Sequence, residues 1–253
     1  YVYRIPGEHA TKLIDRNRES VCTNLAKELD VDNTLIYIDP IKGWKLSYYI
    51  ENAVEFDPNN NEHVILFAEC LKKLHNVNNL KKSGYEFNYY KKGIELLEGE
   101  GKNIEPSLRE LIYDYSIKAK YLNDLIEKDG WGIYLSHNDV YEPNMLVANN
   151  RLTLIDWEFS GDNDPGYDIA KLFSLGEFDL VEVKRKLSYY FGKEPTNREL
   201  RHLFACVSVN YFYWVVWSSY MNSNGHDYQL WFLKWNDKFL QYYDLVQKMK
   251  VED

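Results

Sequence analysis

Apolar residues change their spacing several times along this chain, and the changes predict its elements. From Tyr1 to Ile5 apolar and polar positions alternate, the period of a strand, and the run "GEHATKLID" that follows reads as a loop. Between Arg16 and Leu29, Val21, Leu25 and Leu29 fall on one face of a helix. "TLIYID" and "KLSYYI" read as two strands joined by a turn at Lys42-Gly43, so the opening fifty residues predict a small sheet with one helix. "ENAVEFDPNNN" is polar and turn-rich. Helical spacing then takes over, from Val64 to Leu74 and again from Ser107 to Lys128, with Gly130 placed to terminate the second helix. "GIYLSH", "MLVANN" and "RLTLIDW" interrupt it as short β-rich runs, and Asn149-Asn150 supplies a hairpin turn. From Leu180 to Met249 the pattern is helical. The expected division is a β-rich part, residues 1–51, and a mainly helical part, residues 52–253, with no internal repeat and no low-complexity tract.

Composition narrows the class. Of 253 residues, 45% are hydrophobic and 27% charged, a balance that excludes disorder and supplies a sizeable core. A net charge of −9 makes nucleic acid a poor partner and attracts small cations. No stretch approaches the roughly twenty apolar residues of a membrane span, and no signal peptide opens the chain. Cys22, Cys70 and Cys206 are widely spaced and not set beside His at metal-ligand intervals, which points to a reduced, cytoplasmic setting without a membrane. Tyr1 is not a methionine and begins directly in a strand, so a further N-terminal piece is expected to precede it.

The stretch "SHNDVYEPNMLVANNRLTLIDWE" carries the chemistry. Asp139 and Asn144 lie five apart in a loop bounded by strands, and Asp156 ends the next β-run. Mg²⁺ takes hard oxygen ligands, usually one or two carboxylates together with substrate phosphates, and Asn144 with Asp156 meets that demand. Asp139 is then placed to accept a proton from an attacking hydroxyl. Any one of these residues alone is more often a turn residue or helix cap. Together they match the protein-kinase-like pattern His-x-Asp-x-x-x-x-Asn, followed by a strand ending in a metal-binding Asp.

"SHNDVYEPNMLV" and "LIDWEFSGDNDPGYDIAKLF" resemble the choline/ethanolamine kinases and their relatives the aminoglycoside phosphotransferases. "HND" with "IDWE" looks more like the choline kinases, and the modest length more like the bacterial ones. The resemblance runs from about Tyr1 to Tyr243 and is strongest between His137 and Phe173. It implies an α+β, bilobal, protein-kinase-like fold with a small β-rich N-terminal lobe and a larger helical one. It also implies ATP as co-substrate and Mg²⁺ as cofactor. Asp139 would be the catalytic base, Asn144 and Asp156 the metal ligands, and His137 and Asp168 structural supports of the loop. Arg4 would contact the phosphates and pair with Glu19, and the segment near Tyr48 and Ile50 would meet adenine through backbone groups. The glycine-rich phosphate loop of the family would precede the strand of Arg4, and the sequence starts at Tyr1, on that strand.

The acceptor is indicated by aromatic residues. "YFYWVVWSSY" puts Trp214 and Trp217 three apart on one helical face, ordinary core spacing for a generic helix. A quaternary ammonium donates no hydrogen bond and is held by ring faces, at about 0.5 to 2 kcal/mol per contact. In the resemblance, Trp214, Trp217 and Tyr228 form the choline cage, with Glu158, or Glu177, balancing the charge and Glu142 adding to it. Choline would sit among these rings with its hydroxyl turned toward Asp139, and direct in-line transfer would give phosphocholine. The alternatives are a kinase for ethanolamine, thiamine or an aminoglycoside, or a non-catalytic pseudokinase that binds choline or nucleotide.

Overall fold

The computed structural model describes residues 1–6, 14–75 and 81–250, and most of the loop expected over Gly7 to Asp15 lies outside them. Strand β1 (Val2–Arg4) pairs antiparallel with β3 (Lys45–Ser47), which pairs with β2 (Leu35–Ile38), giving the order β1-β3-β2. The register sets Val2 opposite Ser47 and Arg4 opposite Lys45. Helix α1 (Arg16–Glu28) is started by Asp15, whose carboxylate accepts from the Arg18 N–H. The turn before β3 uses Gly43 at φ 72°, a left-handed conformation in which a Cβ would lie 2.5 Å from Arg16 Cδ. The strand expected over "KLSYYI" ends at Ser47, because the Tyr48 N–H leaves the ladder and donates to the Thr34 carbonyl at 2.8 Å.

The turn-rich stretch after Ile50 contains a strand that spacing did not reveal. β4 (Val54–Glu55) pairs antiparallel with β6 (Met145–Ala148), itself paired with β7 (Arg151–Leu154). Two residues are too few to show alternation. Asn149 and Asn150, at φ 50° and 56°, make the expected hairpin turn between β6 and β7, with both central residues left-handed. β5 (Tyr134–Ser136) pairs with β8 (Gly161–Asn163), whose Gly-Asp-Asn sequence has no strand preference of its own. Tertiary contacts fix β8: the Asp162 carboxylate accepts from the Ser83 N–H at 2.6 Å and the Gly84 N–H at 2.9 Å. Helix α2 (Asn61–Leu74) buries Val64, Phe67, Leu71 and Leu74 and packs against β7 and α7 (Leu180–Phe191), while α5 (Gly166–Ile169) and α6 (Lys171–Ser174) form short turns beside it.

These elements belong to one compact unit, Tyr1–Glu86 with Gly132–Pro195. The other, Phe87–Trp131 with Thr196–Asp253, is helical: α3 (Tyr89–Glu98), α4 (Pro106–Asp129), α8 (Asn197–Ser223) and α9 (Gln229–Lys248). The units cut the chain along a different line from the expected boundary at residue 51. α4 begins on a proline and stops at Gly130, left-handed at φ 69°, as its sequence predicts. α8 begins with a capping box between Thr196 and Glu199 and is buried almost all round, with α3, α4 and α9 packed on it. Much of the aromatic content is this core: Phe239 of α9 is fully buried against Phe212 and Tyr115, burial that contributes about 1.5 to 3 kcal/mol. Cys22, Cys70 and Cys206, on α1, α2 and α8, are free and buried, and burial pushes the Cys70 thiol up to about 12. Among the described residues no helix is long and apolar enough to cross a membrane.

Candidate active site

The loop after β5 is held from both ends. Asp168, in α5, accepts from the His137 N–H at 2.7 Å and the Asn138 N–H at 3.0 Å, so it anchors the loop and does not cap a helix. Asn138 sits at φ 65°, a left-handed turn that asparagine tolerates, and its side chain donates to the Phe159 carbonyl and accepts from Asn163. His137 is fully buried. Its Nδ1 accepts from the Asp139 N–H at 3.2 Å, so Nε2 carries the proton and donates to the Ile155 carbonyl at 2.9 Å. One imidazole thereby ties the loop before Asp139 to the end of β7 just before Asp156. Its ring meets the edge of buried Trp157 at 4.6 Å, and burial lowers its pKa, which keeps it neutral.

Asp139 is half-buried, and Asn144, at the end of a single 3₁₀ turn, donates from Nδ2 to the Asp139 carbonyl at 3.0 Å and to Oδ2 at 3.3 Å. Burial raises the Asp139 carboxyl; Asp156 and Glu158 add to the rise, Lys171 and the Asn144 hydrogen bond oppose it, and the balance lies at about 7. With Nδ2 committed, the Asn144 Oδ1 accepts no hydrogen bond among the described residues. Asp156, two residues past β7, adopts φ 65° and leaves its side chain 37% exposed. An amide oxygen and an open carboxylate are the hard oxygen donors that Mg²⁺ takes, so the residues fit that ion.

Arg4 reaches this group from β1. Its Nη1 lies 2.6 Å from Asp156 Oδ1, and its Nη2 pairs with Glu19, whose side chain on α1 is wholly buried. Arg16 also pairs with Glu19, at 2.8 Å, and both arginines lie 3.8 Å from Glu158 Oε2. Glu158, expected beside the acceptor, therefore stands among the arginines, and burial raises its carboxyl. Two guanidiniums facing three carboxylates leave the cluster formally negative, which favours a cation. The Tyr48 N–H is spent on Thr34, and among the described residues no backbone hydrogen bond outside helices and strands uses its carbonyl or the backbone groups of Ile50.

The structure thus gathers Arg4, Glu19, His137, Asp139, Asn144, Asp156, Glu158 and Asp168 in one unit. Trp214, Trp217 and Tyr228 lie together in the other. There Trp214 and Trp217 meet edge-on with centroids 5.7 Å apart, and Tyr228, at the start of α9, meets Trp217 at 4.8 Å. Trp235, missed in the sequence, completes the group at 5.5 Å from Trp214, and Trp231 stands 5.4 Å from Trp235. Its signal was the Trp231 to Trp235 spacing of one helical turn. Asn138 and Arg16 were also missed. Asparagine's tolerance of left-handed backbone and the i, i+3 relation of Arg16 to Glu19 were the available cues.

The chain is similar to several known proteins. Protein LicA of Haemophilus influenzae strain Rd is 26% identical over 245 residues, covering 91% of this chain and 90% of that one. The crystal structure of choline kinase LicA from Streptococcus pneumoniae superposes with a TM-score of 0.80 at 23% identity, covering 96% of this chain and 85% of that one. A LicA solved in complex with AMP gives a TM-score of 0.75, again at 23% identity, over 96% and 84%. These likenesses establish a protein-kinase-like fold. The family model described as choline/ethanolamine kinase matches residues 1–204, a span holding the Arg4 cluster and the whole Asp139 loop, and the chain accordingly belongs to the choline/ethanolamine kinase family.

Proposed function

We propose that this chain transfers the γ-phosphoryl group of ATP to the hydroxyl of choline, with Mg²⁺, giving phosphocholine and ADP. The observation that carries the transfer is the fixed Asp139 carboxylate, oriented by Asn144 and held by the His137 and Asp168 network. As the choline oxygen forms its bond to the γ-phosphorus and the bond to the β–γ bridging oxygen breaks, Asp139 takes the hydroxyl proton. Asn144 and Asp156 would hold Mg²⁺, which supplies neutralisation of the polyphosphate charge. Arg4, kept in place by Glu19, presents a planar guanidinium to phosphate oxygens. Residues 1–51 handle the nucleotide, with adenine met by the backbone of Tyr48 and Ile50. Catalysis is then mostly positioning and electrostatics, with no covalent enzyme intermediate.

The aromatic group of α8 and α9 supports choline as the acceptor. Rings of Trp214, Trp217, Tyr228 and Trp235 offer faces suited to a quaternary ammonium, whereas a polyamine antibiotic requires several carboxylates. The test is Mg²⁺-dependent ADP release from ATP by the purified chain, with choline, ethanolamine and kanamycin compared. Choline-selective release is expected. Faster turnover of another acceptor overturns the choline assignment while keeping the kinase, and silence with all three overturns the transfer.

A further inference from the structure

Arg4 stands where a cation is needed. Its guanidinium bridges two carboxylates of unequal character. Glu19 is 0% exposed and is shared with Arg16, whose Nη1 lies 2.8 Å away. Asp156 is 37% exposed, and Arg4, at 2.6 Å, is its only cationic partner among the described residues. The two contacts therefore differ in what it takes to break them. Pulling Arg4 from Glu19 strips a buried charge of one of its two partners, whereas turning Nη1 away from Asp156 releases a carboxylate that solvent already reaches. Arg16 packs beside this pivot against Gly43, where an added Cβ would lie 2.5 Å from Arg16 Cδ. Nη2, on Glu19 and within 3.4 Å of the Gly43 carbonyl, is the hinge, and Nη1 is the moving end.

We propose that Arg4 is a place-holder on Asp156: it keeps a free divalent cation off this carboxylate until the phosphates of the nucleotide offer Nη1 another anion, so cation and nucleotide enter together. The inference rests on the reading of Asp156 as a metal ligand and Arg4 as a phosphate contact. A carboxylate neutralised by a guanidinium at 2.6 Å attracts Mg²⁺ weakly, and the neutral Asn144 amide cannot make up the difference. Once the phosphates arrive, the same guanidinium gains a bidentate partner and Asp156 regains its charge at the moment the ion needs it. Glu158 Oε2 lies 3.8 Å from both arginines, a second carboxylate near Nη1.

The test reads metal binding directly, by electron paramagnetic resonance of Mn²⁺ with the full chain, with and without the non-hydrolysable imido analogue of ATP. The wild type should bind Mn²⁺ weakly alone and tightly with the analogue. Arg4→Met should bind Mn²⁺ alone about tenfold or more tightly than wild type, since the competing charge is gone. Arg4→Lys, which keeps a point charge on buried Glu19 but cannot bridge both carboxylates, should show the same direction of change and guards against a misfolded Arg4→Met. Asp156→Asn should abolish the gain in either background. Unchanged nucleotide-free Mn²⁺ affinity in both Arg4 variants, with Asp156→Asn still abolishing analogue-dependent binding, overturns the place-holder and keeps the metal site. Wild-type Mn²⁺ binding by Asp156→Asn in the presence of the analogue overturns the metal site and the place-holder with it.

Discussion

Asp139 and Asp168 lie on the same loop network, yet their environments push them in opposite directions. Asp139 is raised to about 7 by burial, with Asp156 and Glu158 adding to it, which makes it a good proton acceptor near neutral pH. Asp139→Asn should lower kcat by about 10² to 10⁴-fold with nucleotide affinity and the circular dichroism spectrum retained, measured by steady-state kinetics and titration. Asp168 is lowered despite burial, because His75, at 3.4 Å, and the His137 N–H favour its charged form. A carboxylate lowered on folding contributes stability that is complete above its ordinary value near 4 and is lost as pH falls through its folded value. His137, lowered by burial, adds an earlier loss, beginning as pH falls below about 6.5, where the unfolded chain takes up a proton that the folded one refuses. Asp139, raised to about 7, opposes that early loss because the folded chain takes up its proton first. Acid unfolding should therefore be shallow below about pH 6.5 and steepen in a second phase in the carboxylate range. Asp168→Asn should cost about 1 to 3 kcal/mol at neutral pH and flatten the second phase, as read by thermal unfolding against pH. His137 and Asp168 were singled out by the resemblance, but Asn138 and His75 were not. Apart from a long contact of Asn138 with the Ser136 carbonyl, the side-chain partners cited here are 21 or more residues away, and no local spacing encodes such contacts.

At the scale of elements, long helices and the Asn149-Asn150 hairpin were legible, because periodicity and left-handed turn chemistry are written locally. β4 and β8 were not. One has two residues, and the other is built of Gly161, Asp162 and Asn163 and depends on the turn at Ser83 and Gly84. Helix α8 carries both core packing and the rings proposed for the acceptor. Phe212 points into packing with Phe239, while Trp214 and Trp217 join the rings of α9. Trp214→Ala should raise the KM for choline about tenfold, by loss of roughly 0.5 to 2 kcal/mol of ring contact plus packing, and should affect the neutral tert-butyl isostere of choline less. Equal losses for the two acceptors would show that the ring serves packing alone.

For the whole molecule, the net charge of −9 would act on the proposed cationic acceptor before any contact forms. The kcat/KM for choline should fall several-fold as salt rises from about 0.01 M to about 0.15 M, over which the screening length shrinks from about 30 to about 8 Å. The neutral isostere should show a flat profile in the same assay.

The three buried thiols make this chain its own clock. Cys22 and Cys70 belong to one compact unit and Cys206 to the other, and burial holds the Cys22 and Cys70 sulfurs protonated, with almost no thiolate to react. Capture by an aromatic disulfide reagent therefore counts the moments at which each helix comes apart from its neighbours. Equal rates at the three sulfurs mean that the units breathe as one. A fast Cys206 beside slow Cys22 and Cys70 means that the aromatic helices loosen while the unit that holds Asp139 stays shut.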